Sequence, residues 1–429
     1  MPLLQKAREG LDIALGTQAF LELSVLLLLF RRQQGIHPAP QLIPCLQELR
    51  DRDLGLIAFE FAPFDWNVDK LEPIDVPISD LPDLRWAIHT VKLDPDTDVE
   101  DPGDPYPAER FRLLSSELLP GGTRLDTAEA SGGPAFLVIS GHNRAGEPDC
   151  GPSIIPIRAL PGYPQRKLGH RPYPIPVPTC QVSQADTIYV AAGPFCYSGG
   201  IAESAATKNE NSERCLVPPT TIPGFSIDRT ELSNAVVALT GPFEILSGVR
   251  PPRYPRVEEF ANASEPKMPA AGLSLRDARF YCRYLGRQLP SPMQWEKAMR
   301  GGLSIPTDAP DNSGDSSNRY PQRSFPWKPG SQTDDVSVLD ESAAPSLRPV
   351  GSSSTDRSPY GVCDLAGSLQ EWTSHTDTDG FQITRGGNWA TSTRATLRSF
   401  TINNNPRLAD SRSYELGARC VSIFARRSR

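Results

Sequence analysis

The stretch from Gln288 to Gly302, QLPSPMQWEKAMRGG, constrains the fold most, because it marks both ends of a short helix. Ser291 is a good N-cap, Pro292 suits the first helical position, and Gln294 completes a capping-box spacing. Trp295, Ala298 and Met299 fall on one helical face, and Gly301 stands where helices commonly terminate. Just upstream, Ser274 caps a second helix whose Ala278, Tyr281, Cys282 and Leu285 share a face. Around these helices the chain is heavily punctuated, with 44 prolines and 33 glycines. That usage favours short strands, turns and irregular loops over long helices. At 429 residues the chain implies two or three domains.

A net charge of −7 gives no general nucleic-acid footprint. The basic end, Ala425 to Arg429, is expected as a solvated tail. Eight cysteines, none in a C-x-x-C pair, do not make a disulfide scaffold, and five scattered histidines support no zinc cluster. The most apolar run, Phe20 to Phe30, contains Glu22 and is too short to span a membrane. No signal-peptide pattern stands at the start. These features predict a soluble, cytoplasmic, bacterial-type protein with no nucleic-acid or membrane partner.

Four regions follow in order. Residues 1–53 form a helical segment: Leu23, Leu26, Leu27 and Phe30 keep helical spacing, and Leu42, Cys45, Leu46 and Leu49 line a second helix. The pair either packs on the next domain or docks a partner. Residues 54–160 are a β-rich module resembling a small β-sandwich, with strands at Leu56–Phe61, Trp86–Leu93, Ala135–Ser140 and Ser153–Ile157. Within it, Asp94, Asp96 and Asp98 alternate as in a calcium loop. Val99 stands where that loop needs glycine and Pro105 where it needs glutamate, so a solvated loop open to a protease or partner is expected. Residues 161–185 form a proline-rich, extended linker. Residues 186–429 form the last domain.

That last domain carries VAAGPF at Val190–Phe195 (after β-rich Ile188-Tyr189), FSIDRTELSN at Phe225–Asn234, and LSLRDARFYCRYLGRQLPSPMQWEKAMRGG at Leu273–Gly302. PVGSSSTDRSPYGVCDLAGSLQEWTS at Pro349–Ser374, RGGNW at Arg385–Trp389, LRS at Leu397–Ser399 and GARC at Gly417–Cys420 follow. In this order the segments resemble the formylglycine-generating enzyme, or sulfatase-modifying factor, family. The resemblance implies its α+β, loop-rich version of the C-type-lectin fold. Enzymes of that family bind copper through two cysteines after the Arg-Gly-Gly strand; here Thr391 and Thr396 stand at those positions. Hydroxyls are poor ligands for a soft metal, so neither copper binding nor formylglycine formation is expected, and no catalytic residue is assigned.

The resemblance also implies that Cys282 and Cys420 lie close together, as a disulfide in secreted relatives and as packed thiols in a reducing cytoplasm. It implies a structural calcium held by Asp364, Gly367, Leu369 and Glu371, with Ser368 replacing the family's asparagine ligand. No P-loop, kinase signature or nucleophile elbow is present. The expected function is therefore a non-catalytic binding or regulatory protein with a protein partner, in a bacterial signalling or defence assembly. Its predicted binding surface is Trp389, Thr391, Thr393, Arg394, Arg398, Asn403, Asn404, Asn405, Arg407 and Tyr414, an Asn-rich, Arg- and aromatic-bearing segment. The variable proteins of diversity-generating retroelements, a related group, bind through the same region. Two alternatives stand: a metal-dependent oxidoreductase with an altered site, and an effector controlled by proteolysis.

Overall fold

The computed structural model describes residues 54–76, 84–91, 111–119, 125–131, 135–141, 150–157, 173–198, 212–239, 265–309, 316–331, 336, 347–376, 381–390 and 411–422. The helical segment expected over 1–53 and the acidic loop at 94–105 lie outside these residues. Eight strands come first: β1 (Leu54–Asn67), β2 (Glu72–Asp75), β3 (Leu84–Val91), β4 (Phe111–Leu119), β5 (Leu125–Ser131), β6 (Ala135–Gly141), β7 (Ser153–Ile157) and β8 (Tyr173–Pro178). They form two four-stranded sheets. One runs β2-β1-β5 with β8 parallel to β1, and the other runs β4-β3-β6-β7. The four strands expected from sequence fall in β1, β3, β6 and β7. The strands β2, β4 and β5 carry weaker patterns and were not anticipated.

The rest of the chain is a mixed α+β arrangement of short elements. It contains α1 (Cys180–Gln184), β9 (Thr187–Val190), β10 (Gly193–Phe195), β11 (Thr220–Ile222), β12 (Phe225–Asp228) and α2 (Asn234–Ala238). Next come α3 (Leu275–Tyr284), α4 (Pro292–Arg300), β13 (Gln370–Thr376), β14 (Gln382–Arg385), β15 (Leu416–Gly417) and β16 (Val421–Ser422). Three small sheets result, ordered β10-β11, β16-β12-β9 and β14-β13-β15. Among the described residues no helix is long and apolar enough to cross a membrane.

Both central helices start as their sequences predict. Ser274 Oγ accepts from Asp277 N at 3.2 Å while Asp277 Oδ2 accepts from Ser274 N at 2.9 Å. Ser291 and Gln294 repeat the exchange at 3.1 and 2.9 Å. Each box satisfies two N–H groups that a helix start leaves open. Helix α4 stops at Gly301, whose φ of +89° strains any other residue, and where a Cβ would stand 2.8 Å from Asn318 Nδ2. The predicted apolar faces of α3 and α4 are buried. The polar face of α4 is buried too: Glu296, Lys297 and Arg300 are each 1% exposed or less. Lys297 reaches the Ala191 and Gly193 carbonyls at 2.7 and 2.8 Å.

The two halves of the molecule share a core. Phe64, Leu137, Ile139, Ile155, Ile175 and Val177 pack with Leu275, Ala278, Tyr281 and Tyr284 of α3, and with Trp372 and Leu416. Each buried Phe, Leu, Ile or Val side chain among them contributes roughly 1.5–3 kcal/mol, so this seam is a cohesive interface rather than a loose tether. At it, Gly151 and Gly286 meet backbone to backbone; a Cβ on Gly151 would stand 2.1 Å from the Gly286 carbonyl oxygen. The segment read as a proline-rich linker is extended where described, but it is paired as β8 and continues into α1. Arg287 fastens α1 by donating to the Ser183, Val182 and Ala185 carbonyls.

The cysteine reading is corrected. Cys150–Cys180, Cys196–Cys215 and Cys282–Cys420 are disulfides. Cys282 and Cys420 lie together as the resemblance implied, but as a disulfide and not as the thiols expected of a reducing cytoplasm. The pairs are separated by 30, 19 and 138 residues. Nothing in linear spacing reveals that such positions converge; packing of α3 against the C-terminal strands brings the widest pair together.

Candidate functional site: a binding face above a buried ionic hub

Two features picked from sequence, the Asp364–Glu371 loop and the segment beginning at Trp389, meet in space. The loop turns twice through left-handed backbone at non-glycine residues, Asp364 (φ +58°) and Ser368 (φ +60°). That conformation costs energy and persists only where surroundings hold it. The holding bonds are specific. Asp356, itself buried, accepts from the N–H groups of Leu365, Ala366 and Gly367 at 3.0–3.1 Å. Glu231 accepts from Ser368 Oγ at 2.7 Å and Leu369 N at 2.8 Å. Asp364 Oδ2 accepts from Gly351 N at 2.6 Å.

Arg419 lies at the centre of these carboxylates. Its Nε and Nη2 donate to both oxygens of Glu371 at 2.6–2.9 Å, and Nη2 also reaches the Cys363 and Asp364 carbonyls. Trp295 of α4 adds an indole N–H to Glu371 at 2.7 Å. Arg419 and Glu371 are fully buried, where a paired guanidinium fork is far better suited than a lone ammonium.

Burial raises all four acids above their ordinary values. For Glu231 the shift is large and is reinforced by Asp364 and Glu371. Asp364 is raised to about 7, by burial first and Asp356 second. Asp356 and Glu371 are also raised by burial, opposed by N–H donors at Asp356 and by Arg419 at Glu371. Burial disfavours the charged form of Arg419, but Glu371 and the other acids outweigh it and hold the guanidinium protonated.

The outer side of the loop carries the two described residues of the predicted binding surface. Trp389 N donates to the Ser368 carbonyl at 2.8 Å, and Trp389 Nε1 donates to the Tyr414 carbonyl at 3.0 Å. Those two residues, 25 positions apart, close the ends of the segment between them. Tyr414 is 37% exposed. Thr391, Thr393, Arg394, Arg398, Asn403, Asn404, Asn405 and Arg407, together with Thr396, lie outside the described residues. Beneath the stem, Gln370 N bonds the Glu415 carbonyl, and β13 pairs with β15 through Gln370–Leu416 and Glu371–Gly417.

The residues expected to hold calcium have other partners in this loop. Asp364, Gly367, Leu369 and Glu371 do share one turn, but Glu371 is committed to Arg419 and Trp295, and Asp364 to Gly351. Among the described residues no group of three or more His, Cys, Asp or Glu side chains is placed to share a metal ion. A guanidinium stands where the carboxylates call for a cation.

Sequence reasoning assigned no role to Arg419, Glu231 or Asp356, although each sits in or beside a quoted motif. Their burial was the missing signal, since an isolated charged residue ordinarily reads as surface. A second buried cluster was missed as well. Glu296 Oε1 accepts from Ser198 N and Oγ at 2.9 and 2.5 Å and pairs with Arg300 at 3.1 Å, while Arg385 stands 3.4 Å from Oε2.

Comparisons with known proteins identify the chain's relatives. The family model of the sulfatase-modifying factor enzyme 1-like domain matches residues 173–423, more than half of the chain. The mouse protein named inactive C-alpha-formylglycine-generating enzyme 2 is 31% identical over 169 residues, covering 37% of this chain and 51% of its own length. Its bovine counterpart is 30% identical over 162 residues, covering 36% and 50%. The chain thus spans about half the length of these curated relatives. A solved structure, CarF, aligns with 55% of this chain and 97% of its own, at 18% identity and a TM-score of 0.39. With more than half of its residues matched, the chain belongs to the sulfatase-modifying-factor, formylglycine-generating-enzyme-like family.

Proposed function

We propose that this chain is a non-catalytic binding protein, which uses the family scaffold to present the 389–414 segment to a protein partner. The observation that carries the reading is the Trp389–Tyr414 closure, seated on a loop that Arg419, Glu231 and Asp356 make rigid. A segment joined at both ends to a stiff frame loses less entropy on binding than a free one. Thr391 and Thr396 remove the soft ligands that the family's oxidation needs, and the mouse and bovine relatives carry the word inactive in their names.

The test has two arms. Full-length protein supplied with copper, oxygen and a sulfatase-type cysteine peptide should form no aldehyde; aldehyde formation overturns the proposal. In pull-downs from the native host, wild type should recover one stoichiometric protein, and an Arg398→Ala/Tyr414→Ala variant should lose it roughly tenfold. Equal recovery by the variant removes the binding face from this segment.

Calcium at Asp364, Gly367, Leu369 and Glu371 is a separate reading. The crowding of buried carboxylates favours it, and the commitment of Glu371 to Arg419 opposes it. Metal analysis decides: one tightly held calcium per chain, with lowered thermal stability after chelation, supports it. The three disulfides favour an oxidising compartment over the cytoplasm expected from sequence. Thiol labelling of protein isolated from its host tests that point, since reduced cysteines would reverse it.

A further inference from the structure

We propose a second ligand site at the seam between the two halves, a cleft that takes a small apolar zwitterion of the free-dipeptide class. The cleft encloses about 390 Å³, within the ~300–1,000 Å³ typical of small-molecule sites. It opens between the β1–β2 turn, α1, the end of β12 and α2, and its apolar wall includes Trp66, Leu232, Val236, Leu239, Leu285 and Val350. Leu232 and Leu285 are buried in the shared core, whereas Trp66, Val236, Leu239 and Val350 keep part of their surface open. Half-covered apolar side chains from both halves thus face one concavity, and an apolar ligand body that covers them is stabilised by removing that surface from water.

Most charges on the cleft's described lining are committed to one another or to the hub. Arg229 pairs with Asp186 at 2.8 Å, Arg287 pairs with Asp228, and Glu231 accepts from Ser368 Oγ and Leu369 N. Asp69 and Lys267 are the exceptions among the described lining residues. Both are exposed, neither side chain has a hydrogen-bond or ion-pair partner, and they do not pair with each other. Their backbones are nonetheless held. Asn67 Oδ1 accepts from Asp69 N and Lys70 N at 3.1 Å, and Leu71 N closes the turn onto the Asn67 carbonyl at 2.8 Å. The Lys267 carbonyl accepts from Val350 N at 2.9 Å. One unmatched anion and one unmatched cation, carried on different elements around an apolar wall, complement a ligand with an ammonium, a carboxylate and an apolar body. A fatty carboxylate leaves Asp69 unmatched and an alkylamine leaves Lys267 unmatched, so the dipeptide class fits both charges where these do not.

Titration calorimetry on the full chain, with leucylphenylalanine, its N-acetyl and C-amide derivatives, octanoate and octylamine as probes, tests the site. Saturable binding of the free dipeptide that weakens with added sodium chloride is expected, and blocking either end should weaken it about threefold. Asp69→Asn and Lys267→Gln, both exposed changes, should each weaken the free dipeptide about threefold and together about tenfold. In Lys267→Gln the C-amide should bind as well as the free dipeptide, and in Asp69→Asn the N-acetyl form should, which assigns each charge to its end. Thermal midpoints of the unliganded variants serve as the folding control. Absence of saturable binding by about 10 mM, wild-type affinity in the double variant, or octanoate or octylamine binding as tightly as the dipeptide overturns the proposal. None of these outcomes bears on the 389–414 face, whose residues are different.

Discussion

Helix α4 separates two buried ionic clusters built on opposite principles. On its Trp295 side, four carboxylates stand around Arg419, and backbone N–H groups supply much of the compensation. On its Glu296 side, one carboxylate faces Arg300 and Arg385, and among the described residues Gln322 Nε2 has no hydrogen-bond partner and Glu296 Oε2 has only the 3.4 Å ion pair with Arg385. The acid-rich cluster is saturated and fixes a strained loop. Among the described residues, the base-rich cluster is less completely matched and contains one acid. Saturation, not the number of charges, decides which cluster can hold unusual backbone, because an unmatched buried polar group costs about 1–3 kcal/mol.

The largest effect that would break this contrast comes from Arg419→Met. It leaves Glu371 and its neighbours buried without a counter-charge, at about 3–5 kcal/mol. Loss of soluble folded protein, or a large drop in urea midpoint, is the expected readout. Arg419→Lys should rescue little, because an ammonium cannot bridge both Glu371 oxygens and two carbonyls at once. A mild phenotype would show that the acids are protonated and need no cation.

Glu296→Gln probes the other cluster. It removes the carboxylate shared by Arg300 and Arg385 and should cost about 3 kcal/mol, read as a lower denaturation midpoint with an unchanged m-value. A smaller loss than that of Arg419→Met is expected because the amide still accepts from Ser198. Equal losses would erase the distinction between the two sides of α4.

pH sharpens the comparison next. Asp364 has a folded-state pKa of about 7 against an ordinary value of 3.8. The folded protein therefore binds that proton more tightly than the unfolded chain. Its contribution is complete below pH 3.8 and is lost as pH rises through about 7. Glu231 is displaced in the same direction. Stability measured by urea unfolding should thus be higher at pH 5.5 than at pH 8, by on the order of 2 kcal/mol. Asp364→Asn should flatten this dependence. The smallest effect is expected for Ser291→Ala, which removes the α4 cap at about 1 kcal/mol and should weaken both clusters equally in a thermal melt.

The contrast between these clusters also marks how far the sequence could be read. The α3 and α4 capping boxes, the apolar faces of both helices and the strands at β1, β3, β6 and β7 were legible, because each is written in neighbouring residues. The β4 and β5 strands were not, since FRLLSSELL and LDTAEAS carry no clean alternation and gain their pairing from β3 and β1. At the site, Trp389 and Tyr414 were singled out, and they are hydrogen-bonded to each other, with Trp389 also bonded to Ser368 of the Asp364–Glu371 loop. Arg419 was visible only as a letter of the GARC motif. Its partners Glu371, Cys363 and Asp364 lie 48, 56 and 55 residues away, beyond any local pattern.

Residue identity and order were enough to read which segments form capped helices and several of the short strands, and that the chain carries the family's ordered motifs. All of these are properties of residue identity and short spacing. Tertiary structure alone decided that the polar face of α4 is buried, that Cys150, Cys196 and Cys282 have disulfide partners, and that Arg419 stands among the carboxylates predicted for calcium. The physical reason is one of range. Capping and amphipathic periodicity act within a few residues, whereas the cost of burying a charge is set by whatever the completed fold places beside it.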